Sequence, residues 1–240
     1  MSSQNKIIVG LSGGVDSSVT AYLLLQQGFQ VEALFMKNWD EDDDDEYCSA
    51  SEDLADAQQV ADLLGIKLHT VNFSHEYWED VFEHFLLEHK KGRTPNPDVL
   101  CNQRIKFKAF LDYAKDLGAD KIATGHYARI ANENGKYFLK AGVDGNKDQS
   151  YFLYDLPQEI LGKTIFPLGE LTKGITRIEA LKHSLKTAKK PESQDLCLAE
   201  HYGSMNAFID KYLPQKKGEV VLKNGQIIGS HNGIQHFTIG

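Results

Sequence analysis

This 240-residue chain predicts an α/β fold: a doubly wound parallel sheet, a small helical second domain, and the start of a β-rich third. Three observations predict it. Apolar β-type runs near residues 6–11, 30–36, 67–73 and 120–124 alternate with helical patterns near 16–27, 51–64, 76–90 and 103–117, the spacing of βαβ units. The first run enters a Ser12-Gly13-Gly14 turn directly before a helical pattern. Beyond residue 125 the pattern shifts to hairpins and short helices, which divides the chain into 1–162, 163–217 and a β-rich start at 218–240.

Ile7, Ile8 and Val9 read as a buried strand, and Val19, Tyr22, Leu23 and Leu24 recur at helical spacing. The turn between them opens backbone N–H groups at a helix N-terminus. Gly13 and Gly14 permit positive φ and close approach, Ser12, Ser17 and Ser18 add hydroxyls, and the helix dipole favours an anion. A helix simply capped by Asp16 or Ser17 is the plainer alternative. No Lys follows the glycines, so this is not the loop of kinases and GTPases. Ligands of such sheets sit beyond the strand ends at the switch point, which sets the end of the first strand, Met36 and Gly125 on one edge.

Asn134-Gly135 and Asn224-Gly225 each predict a hairpin, the second between 219–222 and 226–228. Periodic stretches at 175–185 and 205–213 predict the helices of the second domain. Neither a signal segment nor a run of about 18 apolar residues is visible, so a cytoplasmic protein without a membrane span is expected. Cys48, Cys101 and Cys197 are odd in number and widely spaced, unlike a disulfide framework or a C-x-x-C zinc site.

The net charge is −8, but residues 40–46 hold seven negative charges and leave the remainder near −1. Residues 89–108 carry a net +5 from Lys90, Lys91, Arg93, Arg104, Lys106 and Lys108 against Asp98. Solvated surface is the ordinary reading of such a run. A contact to nucleic acid is the sharper one, with the Pro-rich stretch 93–98 expected to project as an extended turn. Cys101 is expected where that turn meets a basic helix start, a setting that favours the thiolate.

The string Ser-Gly-Gly-Val-Asp-Ser-Ser at 12–18 resembles the pyrophosphate loop of the N-type ATP pyrophosphatases, which cleave ATP between its α- and β-phosphates and transfer AMP to an oxygen. A wider set is similar to the bacterial tRNA-specific 2-thiouridylases: Met36-Lys-Asn-Trp39, Gly92-Arg-Thr-Pro-Asn-Pro-Asp98, Cys101-Asn102, Thr124-Gly-His-Tyr127, Lys147-Asp-Gln-Ser-Tyr-Phe-Leu153 and Ser193-Gln-Asp-Leu-Cys197. The resemblance covers essentially the entire chain. It implies an adenine nucleotide alpha hydrolase-like fold, and a longer protein ending in a β-barrel.

The resemblance further implies a reaction. ATP, held with Mg²⁺ by Gly10, Leu11, Ser12, Gly13, Gly14, Val15, Asp16, Ser17, Met36 and Gly125, would adenylate the C2 oxygen of the wobble uridine of tRNAs for Lys, Glu and Gln, with Asp16 toward the metal. Cys197 would carry a persulfide from a sulfur-relay or cysteine desulfurase-type donor. Cys101 would resolve it to a Cys101–Cys197 disulfide or help free hydrogen sulfide. Asp98 would act as acid or base, Asn96 and Pro97 would touch the flipped base, and Lys147, Asp148 and Gln149 would contact tRNA. Asp195 stands where the family pattern has Gly. A second reading sets an iron–sulfur cluster between the cysteines and Asp98. An amide-forming ligase of the same superfamily would explain the loop but not the cysteines. A non-enzymatic nucleotide- or tRNA-binding module is a further alternative.

Overall fold

The computed structural model describes residues 5–39, 49–191 and 204–238. The acidic run at 40–46, Cys48 and Cys197 lie outside them. Among the described residues five strands form one parallel sheet: β1 (Lys6–Gly10), β2 (Gln30–Lys37), β3 (Leu68–Asn72), β4 (Lys121–Ala123) and β5 (Thr164–Ile165). Their order is β3-β2-β1-β4-β5, so the chain winds outward from β1 and then reverses across it. The switch point therefore falls between β1 and β4, whose carboxyl ends are Gly10 and Ala123. All four expected strands are present, and the two-residue β5 is an addition that its length left illegible.

Both faces are covered, which is why Ile7, Ile8 and Val9 are a continuous apolar run with no exposure. On one face pack α1 (Val15–Gln26), α2 (Ser49–Leu64) and α3 (Lys173–Lys182), around Val9, Val19, Leu24 and Val60. On the other lie Phe107, Phe110, Leu111 and Ile122 with α4 (Gln158–Lys163). A third, aromatic cluster joins Tyr77, Phe82, Phe85 and Cys101 to α5 (Met205–Tyr212) through Phe208.

Burial on α1 differs from the sequence expectation. Tyr22 and Leu23 are half-buried, whereas Ser17, Ser18, Thr20 and Ala21 are buried. The reason is a second layer: α3 and the turn 186–189 press on the outer side of α1, leaving room only for small residues. Ser18 and Thr20 bond the carbonyls of Gly14 and Asp16 at 2.7 and 2.8 Å, and Thr187 donates to Ser18 at 3.0 Å.

The Pro-rich stretch also departs from expectation. Residues 93–96 are irregular, and Pro97 begins a helix that runs through Pro97–Leu100, a π-helical stretch Cys101–Ala109, and Phe110–Asp116. Asn96 caps it, accepting from the Asp98 N–H at 3.0 Å, and Pro at the first helical position lacks only an N–H that would have been unsatisfied anyway. A second long helix, Ser74–Tyr77, π-helical Trp78–Phe82 and Glu83–Lys90, lies against it. Both expected hairpins form, β6 (Ala128–Glu133) with β7 (Lys136–Ala141) and β8 (Gly218–Val221) with β9 (Ile227–His231). Asn134 and Gly135 take φ of 54° and 82°, as that tight turn requires.

Candidate active site

The loop after β1 is open toward anions. Gly14 is the N-cap of α1 and provides no side-chain acceptor, so the first-turn amides face the loop without an internal cap. Capping by Asp16 or Ser17 is therefore not what these residues do. Ser17 Oγ instead donates to the Gly14 carbonyl at 3.1 Å and accepts from the Ser12 N–H at 3.2 Å, holding the loop curled. Gly13 has φ of +75°, and a Cβ there would collide with the Asp53 carbonyl oxygen of α2.

The other edge residues converge on this loop. A Cβ on Gly125 would stand 2.9 Å from the Asp16 carbonyl carbon and 3.0 Å from the Ser17 nitrogen, so the loop after β4 touches the start of α1. A Cβ on Gly10 would meet Phe110 at 3.3 Å and the Met36 methyl at 3.4 Å. Met36 packs against both Phe110 and the cluster that holds Cys101. Leu11 and Val15 are buried beneath the loop.

Asp16 has two partners that no sequence pattern announced. Lys173 Nζ lies 2.9 and 2.7 Å from its two carboxylate oxygens, and the Tyr127 hydroxyl donates to it at 2.9 Å. Mg²⁺ beside phosphates usually takes one or two carboxylates plus phosphate oxygens. A single half-exposed carboxylate at the loop fits that donor set. Near it, Thr124 Oγ1 and His126 Nδ1 are 2.8 Å apart. Burial, and then the charge of Lys106, pushes the His126 imidazole down to about 3, so it is neutral at pH 7.

The cysteine side is different. Cys101 lies one turn into its helix, buried in the aromatic cluster, not at an exposed helix start. Asn102 donates from Nδ2 to the Asp98 carbonyl at 2.9 Å. Its Oδ1 is buried with no hydrogen-bond partner among the described residues, as are Asn38 Oδ1 and Trp39 Nε1 of the β2 terminus. Asp98 is half-buried, Asn96 exposed and Pro97 buried. An iron–sulfur cluster needs several thiolate-type ligands together. Cys197, one of the ligands such a cluster would use, lies outside the described residues.

At the third expected contact, Asp148 and Gln149 are half-buried and hydrogen-bond to neighbouring backbone. Gln149 Oε1 accepts from the Tyr127 N–H at 3.0 Å. Burial would raise the Asp148 carboxyl, but hydrogen bonds from the Gly142 N–H and from Ser150 outweigh it and hold the group below the usual carboxylate range. Lys147 is half-buried on the adjoining turn. In the basic run, Lys91 and Arg93 pair with Glu88, and Arg104 with Asp80 at 2.7 Å. Arg104 and Lys108 border an open cleft of ≈ 390 Å³ with Gln103, Pro157 and Ile160.

A family model described as "tRNA methyl transferase HUP domain" matches residues 5–201, and one described as "tRNA methyl transferase PRC-barrel domain" matches 206–240. The chain belongs to this family. It is 60% identical over 240 residues, the whole chain, to a protein of Vesicomyosocius okutanii named "tRNA-specific 2-thiouridylase MnmA". Proteins of the same name from Stutzerimonas stutzeri and Proteus mirabilis are each 59% identical over 99% of the chain. The chain spans 66%, 63% and 65% of the length of these three relatives. A solved NMN synthetase from Francisella tularensis aligns over 88% of this chain and 77% of its own at 18% identity and a TM-score of 0.49, too distant to add to the assignment. Among the described residues no helix is long and apolar enough to cross a membrane.

Proposed function

We propose that this protein is a tRNA-uridine 2-sulfurtransferase acting in the cytoplasm, with the parallel-sheet part and the helix 173–182 packed on it holding ATP, the segment around Cys197 presenting sulfur and the β-rich part from 218 engaging tRNA. One observation carries the reading. The uncapped loop at 12–17, Gly125 and Met36 meet at the sheet's switch point, and Met36 packs against the cluster holding Cys101, in a chain 60% identical to a relative named for tRNA thiolation.

In this reading the triphosphate lies on the loop amides and the Ser12 and Ser17 hydroxyls, and the purine lies toward Met36. Asp16 would hold Mg²⁺, which supplies charge neutralisation on the leaving pyrophosphate. The uridine C2 oxygen attacks the α-phosphorus and pyrophosphate leaves, which converts that oxygen into part of an AMP leaving group. The terminal sulfur of a Cys197 persulfide, charged by a separate donor protein, then attacks C2. Cys101 thiolate attacks the Cys197 sulfur, its electron pair forming the Cys101–Cys197 bond. The outer sulfur stays on C2 as thiocarbonyl while AMP departs.

Asp98 and Asn96 stand one turn before Cys101, where a flipped base would reach. The orphaned Asn102 Oδ1 matches the N3–H donor of a uracil. Lys147 and the Lys90–Lys108 surface would take tRNA phosphates. The decisive experiment combines full-length protein, ATP, Mg²⁺, unmodified tRNA and a persulfide donor, with pyrophosphate release and 2-thiouridine read by mass spectrometry. The reading expects both, each dependent on tRNA. Pyrophosphate release without thiolation in the presence of a competent donor would point to a different acceptor chemistry.

A further inference from the structure

The loop at 12–18 contains no lysine, yet a leaving pyrophosphate carries charge that its amides and hydroxyls meet only with partial dipoles. A full positive charge arrives from elsewhere in the chain. Lys173 Nζ is 2.7 Å from Asp16 Oδ2 and 2.9 Å from Oδ1, and Asp16 belongs to the first turn of α1. We propose that Lys173 is the phosphate-binding cation of this site, bound to Asp16 in the nucleotide-free state and passing to the β- and γ-phosphates when ATP enters. The assignment rests on the ATP reading above.

The surroundings aim the side chain at the loop. The Lys173 N–H donates to Asp144 at 2.9 Å, and Thr172 caps α3 by accepting from Ile175, so the backbone at residue 173 is fixed. Its ammonium lies 5.8 Å from the Tyr127 ring centroid, and the Tyr127 hydroxyl stands 2.9 Å from both Asp16 and Thr176 Oγ1. The Lys173 side chain is 12% exposed and that of Asp16 32%, so the pair opens on its aspartate side, toward the loop. An incoming triphosphate would be repelled by an unneutralised Asp16 and attracted by Lys173. A flexible stem with a compact, rotatable ammonium allows the exchange without movement of α3.

A structural bolt holding α3 on α1 would use the same ion pair, so the test separates charge on the distal phosphates from support of the fold. Calorimetric titration of the full-length protein with ATP, AMP and pyrophosphate is compared for the parent, Lys173→Met and Lys173→Arg, with melting temperature read alongside. Lys173→Met is expected to lose roughly 10- to 100-fold in affinity for ATP and pyrophosphate while AMP stays within about twofold, and Lys173→Arg to recover most of the loss. Lys173→Gln, which can still donate to Asp16, is expected to show the same selective loss should the Met variant not fold. Parent-like ATP affinity in Lys173→Met or Lys173→Gln overturns the assignment, as does an equal loss for AMP. If the parent itself binds no ATP, the nucleotide reading falls first and this assignment with it.

Discussion

The phosphate loop and the cysteine helix are neighbours built on opposite principles. Around the loop the described polar side chains are mutually bonded: Ser17 to Ser12 and Gly14, Ser18 to Gly14, and Asp16 to Lys173 and Tyr127. Along the cysteine helix and just after β2, three buried polar atoms, Asn102 Oδ1, Asn38 Oδ1 and Trp39 Nε1, have no hydrogen-bond partner among the described residues. A satisfied site is preorganised, so that its backbone stays in place while only the Lys173 side chain changes partner. An unsatisfied one carries a desolvation cost of about 1–3 kcal/mol per group that a ligand's hydrogen bonds relieve. In the proposed function, the first arrangement would suit a nucleotide that must be held still, and the second a base that arrives from tRNA.

The contrast can be broken hardest at the thiol. Cys101→Ala is expected to lower 2-thiouridine formation by roughly 10²- to 10³-fold while tRNA-dependent pyrophosphate release stays within a few-fold; equal loss of both would tie the cysteine helix to activation as well. Next comes the loop. Gly125→Ala forces a methyl against the Asp16 and Ser17 backbone, and should weaken ATP binding about tenfold, measured by titration. Asn102→Leu sharpens the comparison directly: thermal unfolding should move by less than about 1 kcal/mol, because removing the unsatisfied Oδ1 offsets the lost Nδ2 bond to the Asp98 carbonyl, while thiolation falls. A large destabilisation would mean that Asn102 is a structural residue like those of the loop.

A smaller effect concerns acid. His126 has its imidazole pushed from the usual range to about 3, so the unfolded chain binds the proton first. The stability it contributes is complete above about pH 6.5 and declines as pH falls from there toward 3. His126→Gln should flatten that part of the unfolding curve, read by circular dichroism between pH 7 and 4. The smallest expected effect lies in salt dependence. Lys90 and Lys108 are exposed, and replacing each by Gln should reduce the slope of log affinity for tRNA against log salt by roughly 0.7–0.9. An unchanged slope would leave them as ordinary surface.

Local pattern made much of this molecule legible. Ile7-Ile-Val9 had to be a strand buried on both faces, Ser12-Gly-Gly14 had to be a turn at a helix start, and Asn134-Gly135 had to close a hairpin, because each rests on backbone preferences within a few residues. The helix start at Pro97 was within the same reach: Asn96 before Pro97 is a cap followed by a first-turn proline.

What the amino-acid sequence by itself determined was the order of strands and helices, the anion-receptive loop and the chemical types along the site. Only tertiary structure decided which charge answers which. Lys173 stands 157 positions from Asp16 and carries no motif, and α3 brings it there because small residues on α1 permit a second layer. The burial of Cys101, the backbone hydrogen bonds of Asp148 and Gln149, and the pairing of Arg93 with Glu88 were settled likewise. The physical reason is that propensity and periodicity act within a turn or a strand, whereas desolvation and ion pairing depend on what the folded chain packs around a group.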